Sequence, residues 1–248
     1  MRIEYVGHAT VVVDLDGVRL VTDPLLRNRV VHLRRAVRVD VRAIRGVDAV
    51  LVSHAHYDHL DLPSLGKLGR AMPIVVPRGL GGFLRKRRFE HVSEIEAGES
   101  VRIGSVEVRA VHAEHDETRG LFGVKAPPVG YVVSGSRSVY FAGDTDLFEA
   151  MAELASPDVA LVPIWGWGPS LGSGHLDPRR AAEAVHLLRP RVAVPIHWGT
   201  YSPIHLGLRR AAPSFLHVPA AEFAAAAQEV APEVEVRVLA PGEATELT

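Results

Sequence analysis

The sequence predicts an α+β sandwich in which two β-sheets are covered by helices. Three observations lead there. Short β-branched runs broken by Gly, Asp and Pro dominate the first half, and helical and extended patterns mix in both halves. No composition break, linker or low-complexity stretch divides the 248 residues, so the chain is read as one domain, 1–248. With 47% apolar residues it can bury a sizeable core, which excludes a disordered chain.

Taken in order, Arg2–Val6, Thr10–Leu15 and Val18–Thr22 read as strands, the last two joined by a turn at Asp16-Gly17. Ala49–Ser53 is a continuous apolar run, the pattern of a strand buried on both faces. Pro63–Ala71 and Gly79–Arg87 read as helices, with the strand Ile74–Val76 between them. Val101–Val111 alternates around Gly104-Ser105 as a hairpin, and Val129–Ser134 pairs with Ser138–Ala142 around Gly135-Ser136. Asp146–Ala155 and Pro178–Leu188 are expected helices, the second with Asp177 as N-cap and Pro178 in its first turn. Val159–Val162, Val192–Ile196 and Val234–Leu239 are strands, and Ala220–Val230 is an alanine-rich helix.

Composition narrows the function classes. The formal net charge of −1 gives no overall pull toward nucleic acid or an anionic membrane. Cysteine is absent, which removes disulfides, thiolate metal sites and a cysteine nucleophile, and fits a cytoplasmic location. The start, Met1 to His8, offers no apolar run for a signal peptide, and no stretch reaches the roughly 20 apolar residues that span a bilayer. A symmetric homo-oligomer is compatible with such a chain. Two basic stretches, Arg27 to Arg38 and Arg85-Lys86-Arg87-Arg88, invite a nucleic-acid reading. Lys and Arg at a helix end complement the helix's own dipole, however, so a solvated face is the simpler account.

The 13 histidines matter by their placement. His54-Ala55-His56-Tyr57-Asp58-His59 follows directly on the buried-strand candidate. In extended chain, residues two apart point the same way, so His54, His56 and Asp58 can converge while a tightening turn brings in His59. Imidazole and carboxylate groups suit zinc, manganese, iron or cobalt. Four such groups in six residues exceed what one tetrahedral ion needs from one loop, which favours two neighbouring ions. Asp144 ends another apolar run behind Gly143, whose missing Cβ would let backbone approach an ion, and its two oxygens could bridge two metals. It could equally cap the expected helix at 146–155. His197 follows the strand Val192–Ile196.

These residues, in this order, resemble the metallo-β-lactamase superfamily. Gly7-His8-Ala9-Thr10, Thr22-Asp23-Pro24, Gly143-Asp144-Thr145, Gly174-His175-Leu176-Asp177-Pro178 and His197-Trp198-Gly199-Thr200 are similar to one branch of it. That branch holds ascorbate-6-phosphate lactonase and N-acyl-phosphatidylethanolamine phospholipase D type hydrolases. The resemblance runs in blocks from about Tyr5 to Tyr201. It implies a four-layer αβ/βα sandwich with two metal ions, zinc foremost, in a cleft at the sheet edges. It further implies that His54 and His56 hold one ion, that Asp58, His59 and His197 hold the other, and that Asp144 bridges. The third histidine of the first ion is His115 by the branch's Pro-x-x-His pattern, with His112, which stands at the proline position, as the alternative.

The implied chemistry is hydrolysis by a metal-activated water of a small or medium substrate carrying a phosphodiester, lactone or other ester bond. Asp58 would orient the water, and His175 would supply a proton or bind a substrate oxygen, or is a simple loop histidine. Asp23 would fix the tautomer of a ligand histidine, or is an ordinary turn residue before Pro24. Trp165-Gly166-Trp167-Gly168, Phe122 and Tyr131 are candidates to line the cleft. His32, His91, His186, His205 and His217 show no ligand spacing and read as surface or core residues. Rival readings are a nucleic-acid phosphodiesterase, a thioester or β-lactam hydrolase, against which this sequence's lack of a Gly-His-Thr form of the third histidine motif argues, a diiron redox protein, against which His56 argues, and a metal-binding module without activity.

Overall fold

The computed structural model describes residues 1–248 except 39, 118–122, 155 and 207–212. The first half supplies β1 (Arg2–Gly7), β2 (Thr10–Leu15), β3 (Val18–Thr22), the short pair β4 (Arg29–Val30) and β5 (Leu33–Arg35), then β6 (Ala49–Leu51), β7 (Ile74–Pro77) and β8 (Val92–Ile95). Helices α1 (Leu62–Leu68) and α2 (Gly81–Arg85) connect the last three. β9 (Ser100–Ile103), β10 (Val106–His112), β11 (Val129–Ser134) and β12 (Ser138–Phe141) form a meander, followed by β13 (Val159–Pro163), α3 (Pro178–Leu188), β14 (Val192–Ile196) and β15 (Tyr201–Pro203). The chain closes with α4 (Val218–Val230), β16 (Glu235–Val236) and β17 (Glu243–Glu246).

Two seven-stranded sheets result, ordered β17-β1-β2-β3-β6-β7-β8 and β16-β14-β13-β12-β11-β10-β9, with a small third sheet β15-β5-β4. Each large sheet is antiparallel where hairpins build it and parallel where helices cross over, as at β3–β6–β7 and β12–β13–β14. Parallel strands are covered on both faces, which is why Ala49-Val50-Leu51 and Val192–Ile196 are buried at every position and carry no polar alternation. β1 and β2 alternate instead. Ile3, Tyr5, Val11 and Val13 face the core between the sheets, while Val6 and Val12 face the helix side with Leu65 and Leu84. On the far side of the second sheet, Ala181, Val185 and Leu188 of α3 pack with Phe223 and Ala227 of α4. The layers run helix, sheet, sheet, helix. No helix of the described residues is long and apolar enough to cross a membrane.

α3 begins as its sequence dictates, with the Asp177 carboxylate accepting from the Arg180 N–H and Pro178 in the first turn. Other expectations change on folding. The helix expected at 146–155 is a single 3-10 turn, Glu149–Glu153, because Phe148 at its cap offers no side-chain acceptor. The helix expected from Gly79 is confined to Gly81–Arg85, with Gly79 at φ +104 outside it. The strand expected at 234–239 shortens to Glu235–Val236, while β4, β5, β8, β15 and β17, too short or too polar to read locally, arise from pairing.

Candidate metal centre

Strand ends from both sheets deliver one polar cluster. β6 leaves the first sheet through Val52 and Ser53 into His54, and backbone N–H groups of His59 and Leu60 both donate to the His56 carbonyl (3.1 and 2.8 Å), turning His59 back toward His54. β1 ends at Gly7 and leads to His8, and β3 leads to Asp23. From the second sheet, β10 leads to His115, β12 to Asp144 and β14 to His197. The two sides are tied at backbone level. His197 N donates to the His8 carbonyl (2.9 Å), Val129 N to the Ser53 carbonyl (3.0 Å) and the Tyr131 hydroxyl to the Val52 carbonyl (2.7 Å).

Among the four clusters of ligand-type atoms in the described residues, two stand on either side of one carboxylate, and the other two, Asp23 with His54 and His59 and Asp144 with His115 and His175, link to them. His54, His56 and His115 lie with one donor atom each within 4.8 Å of one another, and so do His8, Asp58, His59 and His197. Asp144 stands between them. Its Oδ2 is 3.1 Å from His59 Nε2 and 3.9 Å from His115 Nε2, and its Oδ1 is 3.3 Å from His197 Nε2. Within the groups, His56 Nδ1 is 3.1 Å from His115 Nε2, and His59 Nε2 is 3.2 Å from His197 Nε2.

The outward nitrogens show which lone pairs are free. His197 Nδ1 donates to the Trp165 carbonyl (2.8 Å), His115 Nδ1 to the Gly174 carbonyl (2.6 Å) and His59 Nδ1 to Asp23 Oδ2 (2.7 Å). His54 Nδ1 meets Ser53 Oγ at 2.9 Å, and that hydroxyl donates on to Asp23 Oδ2 at 2.5 Å. The rings of His54, His115 and His197 are thereby held in the tautomer that turns an unprotonated Nε2 inward, the arrangement metal-ligating histidines adopt, and His59 matches them once its inward nitrogen gives up a proton. His54 Nε2 and Asp144 Oδ1 are buried with no hydrogen-bond partner. Orphaned buried acceptors are costly, and a cation relieves both. The donor set of imidazoles and carboxylates therefore fits divalent transition ions.

Electrostatics differ from side to side. Burial pulls the imidazoles of His54, His56 and His115 below their ordinary value, and burial also brings His197 down to about 3. At His59 burial pulls the same way, but Asp144, Asp58 and Asp23 outweigh it and hold the ring well above its ordinary value. Asp144 and Asp58 are pushed up by burial, yet neighbouring histidines hold both carboxyls well below the usual range.

Backbone strain collects here. His8, Asp23 and His197 all adopt left-handed φ values, +61, +32 and +62, that non-glycine residues rarely take. Each is the turn by which a strand hands a side chain into the cluster. At Gly143 a Cβ would sit 2.6 Å from Ser53 Cβ, so the glycine permits close packing of the two sheets behind Asp144.

Of the two third-ligand candidates, His115 is in the cluster. His112 lies on the other side of the β10 end, its side chain 58% exposed beside Glu114 (3.1 Å) and against the Phe148 ring. Asp144 is not a helix cap. His175 reaches the cluster's rim, with Nε2 3.6 Å from Asp144 Oδ2 and its ring edge-on to His115. Trp167 lines the adjoining cavity, whereas Trp165 serves through its carbonyl, Tyr131 is core, and Phe122 lies outside the described residues. Two contributors were not legible as site residues by spacing, His8, whose Nε2 is 3.0 Å from Asp58 Oδ2, and Ser53. A histidine directly after a strand-ending glycine was the available signal for His8. His32, read as a bystander, lines the cavity edge-on to Trp167 at 4.8 Å.

The cavity that opens on the cluster measures about 260 Å³. Asp58, Asp144 and His175 form its polar end, and Val30, Val31, Leu33 and Trp167 its apolar wall.

Residues 18–198 match the family model of the beta-lactamase superfamily domain. The chain is 35% identical to a metal-dependent hydrolase of Methanopyrus kandleri, over 99% of this chain and 100% of that one. It is 33% identical to N-acyl-phosphatidylethanolamine-hydrolyzing phospholipase D 1 of Caenorhabditis elegans, over 79% of this chain and 63% of the relative. Among solved structures, a metallo hydrolase of the hyperthermophilic archaeon Ignicoccus hospitalis is similar in fold, with a TM-score of 0.76 at 24% identity, covering 100% of this chain and 99% of the other.

Proposed function

This chain belongs to the beta-lactamase superfamily, and from that premise we propose that it is a metal-dependent hydrolase of a small phosphodiester, lactone or other ester. One observation carries the reading: His54 Nε2 and Asp144 Oδ1 are buried and without hydrogen-bond partners, in a cluster whose outward nitrogens are tied down. His54, His56 and His115 would hold one ion, Asp58, His59 and His197 a second, and Asp144 would serve both. Zinc is the proposed metal, and manganese, iron or cobalt would suit the same donors. When bound, divalent ions acidify water toward neutrality and polarise the oxygen under attack.

The remaining work falls to the chain's own groups. His8 Nε2, 3.0 Å from Asp58 Oδ2, holds that carboxylate at the rim of the cavity, where it orients the attacking water. Burial pulls His175 down, but Asp144 outweighs burial and raises the ring above its ordinary value, so it keeps a proton to pass to the leaving oxygen. The apolar wall of Val30, Val31, Leu33 and Trp167 receives the group beside the scissile bond, and about 260 Å³ suits a compact one. By its name the Caenorhabditis elegans relative hydrolyses a phospholipid; the narrow cavity favours a smaller group here. A cysteine-free chain supports a cytoplasmic setting.

Elemental analysis of protein purified without a metal-binding tag tests the reading. About two transition-metal equivalents per chain, with turnover of nitrophenyl phosphodiesters or simple lactones, is the expected result. One equivalent would reduce the proposal to a mononuclear hydrolase. No metal after reconstitution with zinc and manganese would overturn it.

A further inference from the structure

Between positions 27 and 38 the chain carries five arginines, and the structure divides them into two kinds. Arg27 makes a bidentate pair with Asp61, closest at 2.6 Å. Arg35 is buried, its guanidinium 4.6 Å above the Tyr201 ring and donating to the Leu25 and Arg27 carbonyls. These two fasten the segment to the body of the protein. Arg29, Arg34 and Arg38 have no carboxylate partner among the described residues. With Asn28 they line a cavity of about 540 Å³, separate from the one over the metal centre.

Strand register sharpens the arrangement. Arg29 of β4 stands directly across from Arg34 of β5, and Arg34 directly across from Ser202 of β15, so the three form one row on one face. Val30 and Leu33, on the opposite face, wall the metal cavity. Like charges directly opposed across a ladder are destabilising. The opposed guanidiniums that line the cavity are thus left without a counter-charge, and an oxyanion held there offers negative charge to their forks.

We propose that the opposed Arg29–Arg34 pair, with Arg38 and Asn28 at its margin, is a binding site for a phosphate-type oxyanion. It is independent of the metal centre, and lies across the β4–β5 hairpin from the substrate cavity. Bridging the two strands would stiffen that wall.

The test is thermal unfolding of the metal-loaded protein titrated with inorganic phosphate against chloride at matched ionic strength, for wild type, Arg29→Gln and Arg34→Gln. Phosphate at the metal centre contributes equally to all three, so the difference between them is the readout. In chloride the variants should melt no lower than wild type, because the opposed charges are gone. In phosphate the wild type should gain stability with an apparent affinity about tenfold tighter than either variant. Equal phosphate shifts in all three proteins, or a shift that chloride reproduces, would overturn the proposal. Flotation with phosphatidylglycerol or phosphatidylcholine vesicles separates the sources. Arg34-dependent association with the anionic vesicles alone assigns the oxyanion to a lipid headgroup, and phosphate binding without flotation assigns it to a free phosphate; either supports the site.

Discussion

The two ligand groups on either side of Asp144 are made largely of the same side chain, yet they carry opposite electrostatics. His54, His56 and His115 form an all-imidazole pocket in which burial keeps every ring neutral. His59 and His197 share theirs with Asp58, with Asp23 behind, and there the carboxylates overcome burial and keep His59 protonated. One pocket thus presents lone pairs ready for a cation, while the other has to give up a proton to do so. The same residue type serves two roles because its neighbours, not its own chemistry, set its charge.

Asp144 is where the comparison breaks if its position is misread. Asp144→Asn should empty both groups and lower kcat/KM about a thousandfold, equivalent to about 4 kcal/mol of lost stabilisation. Loss of only one equivalent of metal would place it in one group. Asp58→Ala should likewise abolish hydrolysis while near-native circular dichroism shows the fold intact. His115→Ala should lose the first ion and keep the second, read by elemental analysis, with activity down about a hundredfold or more. His112→Ala, on the exposed side, should stay within about twofold of wild type. The reverse ranking would move the third ligand to His112.

Smaller effects sharpen the contrast. Asp23 accepts from His59 Nδ1 and from Ser53, which in turn meets His54, so it supports both groups. Asp23→Asn should cost about 10- to 100-fold in metal affinity. The pH dependence follows from the shifts. His59 is raised, so around neutral pH the ion at its group displaces a proton, and affinity there should rise with pH. The rings of the other group are lowered and already neutral, so its affinity should be flat over the same range. Calorimetry in buffers of different ionisation enthalpy should find about one proton more released by one equivalent than by the other. Equal release would show that the two groups are electrostatically alike.

Much of the frame was legible because it is local. Ala49-Val50-Leu51 reads as a strand covered on both faces from its own composition, and Asp177-Pro178 marks a helix start that the folded chain uses unchanged. The 146–155 segment has helical composition but no cap, and it forms only a 3-10 turn. β5 and β15 cannot be read locally at all, since Leu33–Arg35 and Tyr201–Pro203 are extended only because they face each other. His32 reads as a surface or core residue for the same reason: its place at the cavity depends on a hairpin that brings it edge-on to Trp167.

What the amino-acid sequence determined by itself was the set of chemical groups and the strand ends that carry them. Periodicity and the run His54 to His59 are properties of consecutive residues, and their physics acts within a few bonds. Which nitrogen of each ring turns inward, which of His112 and His115 joins the cluster, and which imidazole keeps its proton were decided only by tertiary structure. Those properties depend on a Trp165 carbonyl, a Gly174 carbonyl and the carboxylates of Asp23 and Asp144 that arrive from distant strands, and on the low-dielectric burial that makes their contact strong.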